Sequence, residues 1–219
     1  MKITRMKFLA VCIAILIISL TVIAVFFETF GDRTNDLNAT RVACLGDSIT
    51  ELSNYPNDLQ TMLGANYNVK NFGVSGSTVL LHTYEPYIEQ EAFQRAKEFL
   101  PTIVVILLGT NDARVDIYQS IDNFVADYEQ LVREVQALES KPKIFLVKPP
   151  PIFDNEFNLS NANLLEGVIP RIEQVAKELG LTTIDVYTPL ANHSEYFVDG
   201  VHPNNDGARL IASEIYKAI

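Results

Sequence analysis

The chain is short of the residues that several chemistries need. Its two cysteines are too few for a disulfide framework. Cys12 lies in a long apolar run and Cys44 in a separate one, so they are not expected to pair, and Cys44 reads as a small core residue. The three histidines, His82, His193 and His202, show no HxxxH spacing, and no CxxC is present, which argues against a zinc hydrolase. Basic residues are scarce as well: 17 Lys and Arg stand against 27 Asp and Glu, a net charge of −10. With no basic stripe to displace counterions from phosphates, no nucleic-acid partner is expected. Neither a P-loop nor a GxGxxG fingerprint occurs, and there is no internal repeat or low-complexity stretch.

What is present is a chain of 219 residues, 48% apolar and 20% charged. That is enough for one domain with a sizeable core and too little for two comfortable ones. Its charge is unevenly placed. Lys2, Arg5 and Lys7 precede a run of 20 residues without a charge, Phe8 to Phe27. As a helix that run spans roughly 30 Å, the thickness of a bilayer core. It is longer than the apolar region of a secretory signal, and bulky Phe26, Phe27 and Phe30 stand where small residues would mark cleavage. The expectation is an uncleaved signal anchor over 1–30, a polar linker over 31–40 and a globular domain over 41–219. Glu28 and Asp32 after the span complete a charge bias that keeps the N-terminus cytoplasmic. The domain then lies outside the cytoplasm, membrane-anchored through the N-terminal helix, or secreted if the segment Thr29-Phe30-Gly31 is cut.

Beyond residue 40, short β-rich runs alternate with amphipathic stretches. The runs are Arg41–Leu45, Tyr67–Phe72, Thr102–Leu108, Lys143–Val147 and Thr182–Val186. Helical patterns cover Tyr55–Leu63, Pro86–Phe99, Ile117–Leu138, Asn163–Leu179 and Asn205–Ala218, and Pro170 should kink or interrupt the fourth. Runs such as Ile103–Leu108 are continuously apolar, as expected where helices cover both faces. The pattern predicts an α/β domain with three layers, α/β/α, around a parallel sheet.

In such sheets ligands bind beyond the carboxyl ends of the strands, so the residues that follow each strand matter most. The first run leads into Gly46-Asp47-Ser48-Ile49-Thr50, the second into Gly73-Val74-Ser75-Gly76-Ser77 and the third into Gly109-Thr110-Asn111-Asp112. The loop before the last helix reads Asp199-Gly200-Val201-His202-Pro203. Each piece alone has an ordinary explanation. Asp47 or Ser48 can cap a helix, Asn111-Asp112 can make a turn, Gly73 can serve as a positive-φ turn residue, and Asp199-Gly200 is a common turn dipeptide.

Together they hold what acyl transfer requires. A serine hydroxyl needs a base, and histidine suits that role near neutral pH. Its imidazole needs an acid on the other nitrogen, which Asp199, three residues before His202, can supply by folding back. The developing oxyanion needs aimed donors, and the backbone N–H groups of Ser48 and Gly73 with the Asn111 amide offer three. The segment Gly73–Ser77 has the wrong spacing for a GxSxG nucleophile elbow, and no carboxylate pair stands out for glycoside cleavage.

These four blocks resemble those of the SGNH hydrolases, the GDSL-type esterase/lipase family, which carry Ser, Gly, Asn and His in that order. The resemblance covers essentially all of residues 41–219, and Ile49 stands where the name-giving Leu would be. It implies a flavodoxin-like five-stranded sheet of order 2-1-3-4-5. It further implies a Ser48–His202–Asp199 triad, an oxyanion hole from Ser48, Gly73 and Asn111, and no metal or organic cofactor. Asp47 and Asp112 would be structural hydrogen-bonders. The implied activity is carboxylic ester hydrolysis.

The substrate class stays open. The text around Asn71–Gly76 and Asp199–Asn204 resembles members that remove O-acetyl groups from carbohydrates, while lysophospholipases and acyl thioesterases share the triad. A glycan-binding module that keeps the fold without turnover is a further reading. Loops 76–85, 113–119 and 149–162 are expected to shape the pocket, and the acidic domain slightly favours neutral glycan over anionic substrates.

Overall fold

The computed structural model describes residues 39–219. The expected membrane span, Cys12 and nearly all of the linker lie outside the described residues. Among the described residues no helix is long and apolar enough to cross a membrane.

The five β-rich runs form five strands, β1 (Thr40–Gly46), β2 (Tyr67–Gly73), β3 (Ile103–Leu107), β4 (Lys143–Lys148) and β5 (Thr182–Asp185). They pair in parallel in the order β2-β1-β3-β4-β5, as the resemblance implied. The connecting helices are α1 (Ser48–Leu52), α2 (Tyr55–Leu63), α3 (Glu91–Glu98), α4 (Phe124–Gln136), α5 (Ile169–Leu179), α6 (Tyr187–Leu190) and α7 (Asn205–Ala218).

Alternation along each strand divides the core in two. Val42 and Cys44 on β1, with Val105 on β3, face Tyr55 and Leu59 of α2 and Ala208, Ile211 and Ile215 of α7. Ala43, Leu45, Val104 and Ile106 point the other way, toward Phe93 of α3, Phe124, Tyr128 and Leu131 of α4, and Ile172 and Val175 of α5. Because both faces are covered at the centre of the sheet, β3 is apolar at every position, while the edge strands β2 and β5 carry polar residues. Each buried aliphatic side chain contributes about 1.5–3 kcal/mol of transfer free energy. Cys44 is fully buried and unpaired, and desolvation pushes its thiol up to about 12.

Three expected helices are subdivided. Gln90 is extended, so the second pattern splits into a 3-10 turn at Tyr87–Glu89 and then α3. The third opens as a 3-10 helix over Tyr118–Asn123 before α4. Pro170 interrupts the fourth as expected. It has no N–H to donate one turn back. The chain meets this with a π-turn over Leu164–Val168, in which Ile169 N–H reaches Leu164 O, so that Pro170 falls at the start of α5.

Candidate active site

The carboxyl ends of β1 and β3 and the loop before α7 converge on one side of the sheet. β1 ends at Gly46, and the chain turns at once into α1, with Asp47 as its N-cap: Oδ1 accepts from Ile49 N–H at 2.9 Å. Ser48 opens the helix, so its N–H has no intrahelical acceptor. The serine is held at a strand end, with its hydroxyl toward the loop from residue 199.

That loop brings His202 to the serine. His202 Nε2 lies 2.9 Å from Ser48 Oγ, and Nδ1 lies 2.7 Å from Asp199 Oδ2. The other Asp199 oxygen accepts from Val201 N–H and from His202 N–H, at 3.0 and 2.8 Å. One carboxylate therefore closes the loop and orients the ring. Partial burial alone would raise the Asp199 carboxyl, but the hydrogen bonds from His202 and Val201 outweigh it and hold it below the usual range. The loop is also latched at both flanks, by Val198 N–H to His202 O (2.9 Å) and Phe153 N–H to Gly200 O (2.8 Å). Phe157 packs edge-on against the imidazole, with ring centroids 5.5 Å apart.

The floor beneath these groups is buried. Asp112 takes the N–H groups of Val79 and Leu80, at 3.0 and 2.9 Å for the shorter contacts. Desolvation still pushes its carboxyl up to about 6, against the pull of those donors. Asp47 is driven up to about 7, chiefly by burial, with the nearby Asp112 charge acting in the same sense and the Ile49 N–H opposing it.

The four sequence blocks do not contribute as expected in every case. Asn111 sits on a 3-10 turn, where its Nδ2 donates to Ser77 O at 3.0 Å, which fixes the amide at the edge of a cavity of about 330 Å³. Ser48 and His202 share that wall, and so does Gly76. Gly73 does not. Its N–H donates to Asn71 Oδ1 at 2.8 Å, and its bare Cα is where the backbone of Glu51 passes. Gly73 is thus a close-packing position whose N–H already has an acceptor, which corrects the expectation that it faces the oxyanion. Gly76 takes a φ of +80° that suits glycine, and its N–H has no protein acceptor among the described residues.

Arg114, Phe157, Leu159 and Leu52 also line the cavity, beside Ser75 and Val201. Three of these come from the loops 113–119 and 149–162. Arg114 is neutralised by a two-pronged ion pair with Asp116, at 2.8 and 3.1 Å. A second cleft of about 510 Å³ meets the first at Ser48 and His202 and presents Ser53, Asn204 and Asn205. Among the described residues no group of three or more His, Cys, Asp and Glu side chains is placed to hold a metal ion.

Comparison with known proteins places this geometry in context. Residues 44–210 match the GDSL-like lipase/acylhydrolase family. An acetylxylan esterase of Xylanibacter ruminicola is 36% identical over 208 residues, covering 83% of this chain and 43% of the relative. The chain spans about half the length of the curated relatives it matches. Among solved structures, the acetylxylan esterase Axe2 of Geobacillus stearothermophilus superposes with a TM-score of 0.66 at 21% identity, over 81% of this chain and 93% of that one. A carbohydrate acetylesterase family member from Sinorhizobium meliloti gives 0.64 at 21% identity, over 82% and 96%. At these identities the structural likeness speaks for the fold.

Proposed function

This chain belongs to the GDSL-like lipase/acylhydrolase family, and we propose that it is a serine esterase that removes O-acetyl groups from carbohydrate. The observation that carries the reading is the unbroken relay from Ser48 Oγ through His202 to Asp199, at 2.9 and 2.7 Å, beside an open cavity. In this mechanism Ser48 Oγ attacks the ester carbonyl while His202 Nε2 takes its proton. Asp199 holds the ring in the tautomer that leaves Nε2 free and stabilises the imidazolium that forms. Ser48 N–H, Gly76 N–H and Asn111 Nδ2 receive the oxyanion. His202 then gives its proton to the departing alcohol, leaving the acyl group on Ser48. A water deprotonated by the same imidazole releases the acid and restores the hydroxyl.

The acetyl assignment is supported by the 36% identical acetylxylan esterase and by Ser53 and Asn205 on the adjoining cleft, whose hydroxyl and amide suit a hydroxyl-rich leaving group. One observation favours a second reading, hydrolysis of longer acyl chains: Leu52 and Val198 stand 66% and 71% exposed at the mouth. Hydrolysis of p-nitrophenyl esters from acetate to decanoate by the full chain and its Ser48→Ala variant decides. The deacetylase reading expects activity that falls steeply with chain length and is lost in the variant. A rise with chain length selects the lipid reading. Equal activity in the variant removes Ser48 from the mechanism, and a folded protein inert to every ester and to serine-directed phosphonates is a binding module.

The same proposal places the enzyme outside the cytoplasm, anchored by residues 8–27, because that uncharged run matches a bilayer and follows three basic residues. Carbonate-resistant membrane association that disappears on deletion of residues 1–30 is the expected result.

A further inference from the structure

Of the three donors assigned to the oxyanion, Gly76 N–H belongs to a turn that lies outside every strand and helix. We propose that Glu51 is a positioning residue that fixes this turn relative to Ser48. The inference rests on the esterase reading. Glu51 lies in α1, three residues beyond Ser48, and its Oε2 accepts from Ser75 N–H at 2.7 Å and from the Ser75 hydroxyl. The residue immediately before Gly76 is thereby tied twice to the helix that carries the nucleophile. Hydrogen bonds to a charged acceptor are roughly twice as strong as neutral ones.

The helix is itself anchored on β2. Asn71 Nδ2 donates to Thr50 O at 2.7 Å and to Glu51 O at 3.3 Å, while Asn71 Oδ1 takes the Gly73 N–H. The chain of contacts runs from Ser48 along α1 to Glu51, across to Ser75 and on to Gly76, and it closes around the cavity. Inside the turn the backbone makes only the Ser77 N–H to Val74 O bond, at 3.2 Å, while its ends are held by Val74 N–H to Gly46 O at 2.9 Å and by Asn111 Nδ2 to Ser77 O at 3.0 Å, which leaves Ser75 and Gly76 to the Glu51 contact. Without Glu51 the turn loses its tether to α1, and Gly76 N–H is free to drift from the oxyanion position. A misplacement near 1 Å costs about 10²-fold in rate. Because the donor acts on charge that develops in the transition state, the loss falls on kcat and leaves KM little changed.

The test uses the full chain, p-nitrophenyl acetate, and the variants Glu51→Ala and Glu51→Gln. Glu51→Ala is expected to lower kcat about 10–100-fold with KM within about twofold, and with an unchanged thermal midpoint. Glu51→Gln keeps an oxygen that accepts from Ser75 N–H and should recover kcat to within about threefold of wild type. Amide hydrogen exchange over residues 74–77 should quicken in the Ala variant and much less in the Gln variant. The proposal is overturned by an unchanged kcat in Glu51→Ala, by a raised KM at constant kcat, or by a Gln variant as impaired as Ala. Should the wild type hydrolyse no ester, the esterase reading fails on its own, and hydrogen exchange still decides the tether: faster exchange upholds it and unchanged exchange rejects it.

Discussion

At the floor of the cavity, where β1 and β3 end, Asp47 and Asp112 are fully buried and their carboxyls are pushed up to about 7 and about 6. On the rim, Asp199 is partly open to solvent and is held below the usual carboxylate range. All three are aspartates near one serine hydroxyl, yet the setting gives them opposite electrostatic characters. The floor residues are shut off from solvent, and that burial outweighs the backbone N–H groups they meet, so ionisation there is disfavoured. Asp199 meets an imidazole and two N–H groups, so ionisation is favoured. The difference separates two tasks: the floor holds the loops in place, and the rim keeps a charge beside the histidine proposed to accept the serine proton.

The largest effect expected from breaking this division lies on the rim. In Asp199→Asn the amide oxygen can still close the loop on the N–H groups of Val201 and His202. The amide nitrogen, however, would donate to Nδ1 and force the tautomer that puts a hydrogen on Nε2, facing Ser48. The expected loss in kcat for aryl acetate is about 10³–10⁴-fold, with the thermal midpoint close to wild type. Steady-state kinetics beside thermal unfolding check this, and a fall in stability that parallels the loss of activity would show that rim and floor are not separable.

Much of this arrangement is legible in the chain itself. The continuous apolar run Ile103–Leu108 marks a central strand covered on both faces, and the short loops after β1 and β3 put Ser48 and Asn111 on one edge. Asp199 and His202 are three residues apart, so their contact is local and follows from a single turn. The glycine proposed to face the oxyanion is less legible, because Gly73 and Gly76 share one loop and both can offer an N–H. The relevant signal was Asn71: an asparagine side chain commonly bonds the backbone N–H two residues on, and here it occupies Gly73. Glu51 and Phe157 carry no such local mark, since their partners lie 24 residues away at Ser75 and across the cavity at His202. The π-turn before α5 is equally hidden: Pro170 announces an interruption, but not its form, and Tyr118 packs over the bare Cα of Gly167 within that turn from a distant part of the chain.

A smaller effect sharpens the comparison through pH. The folded-state pKa of Asp47 is raised from 3.8 to about 7, so its contribution to stability is fully present below the unfolded value and is lost as pH rises through about 7. For Asp199 the folded value is lowered, so its contribution is present above about 3.9, the unfolded value, and is lost as pH falls below it. Asparagine mimics the protonated acid at position 47, because its oxygen can accept from Ile49 N–H while its nitrogen faces the buried Thr110. Denaturant unfolding of wild type and Asp47→Asn should therefore give nearly equal stabilities below about pH 4. The variant should then pull ahead, by an amount on the order of a few kcal/mol, as the pH rises from about 4 to about 7, and the gap should level off above that. A gap that stays constant with pH would mean that Asp47 does not change its protonation in that window.

The smallest effect concerns the outer edge of the rim, where Phe157 is 45% exposed yet lies edge-on to the His202 ring. An edge-to-face contact of this kind contributes about 0.5–1.5 kcal/mol beyond area burial. Because the ring is held already by Asp199 on one side and Ser48 on the other, Phe157 limits its residual motion and does not set its tautomer. Phe157→Leu keeps an apolar wall and removes the aromatic edge. It should lower kcat/KM for aryl acetate about two- to tenfold, with the pH dependence of kcat/KM unchanged in shape. A shift in that profile would instead assign Phe157 to the electrostatics of His202, and the rim would then extend its control of charge out to the loop 149–162.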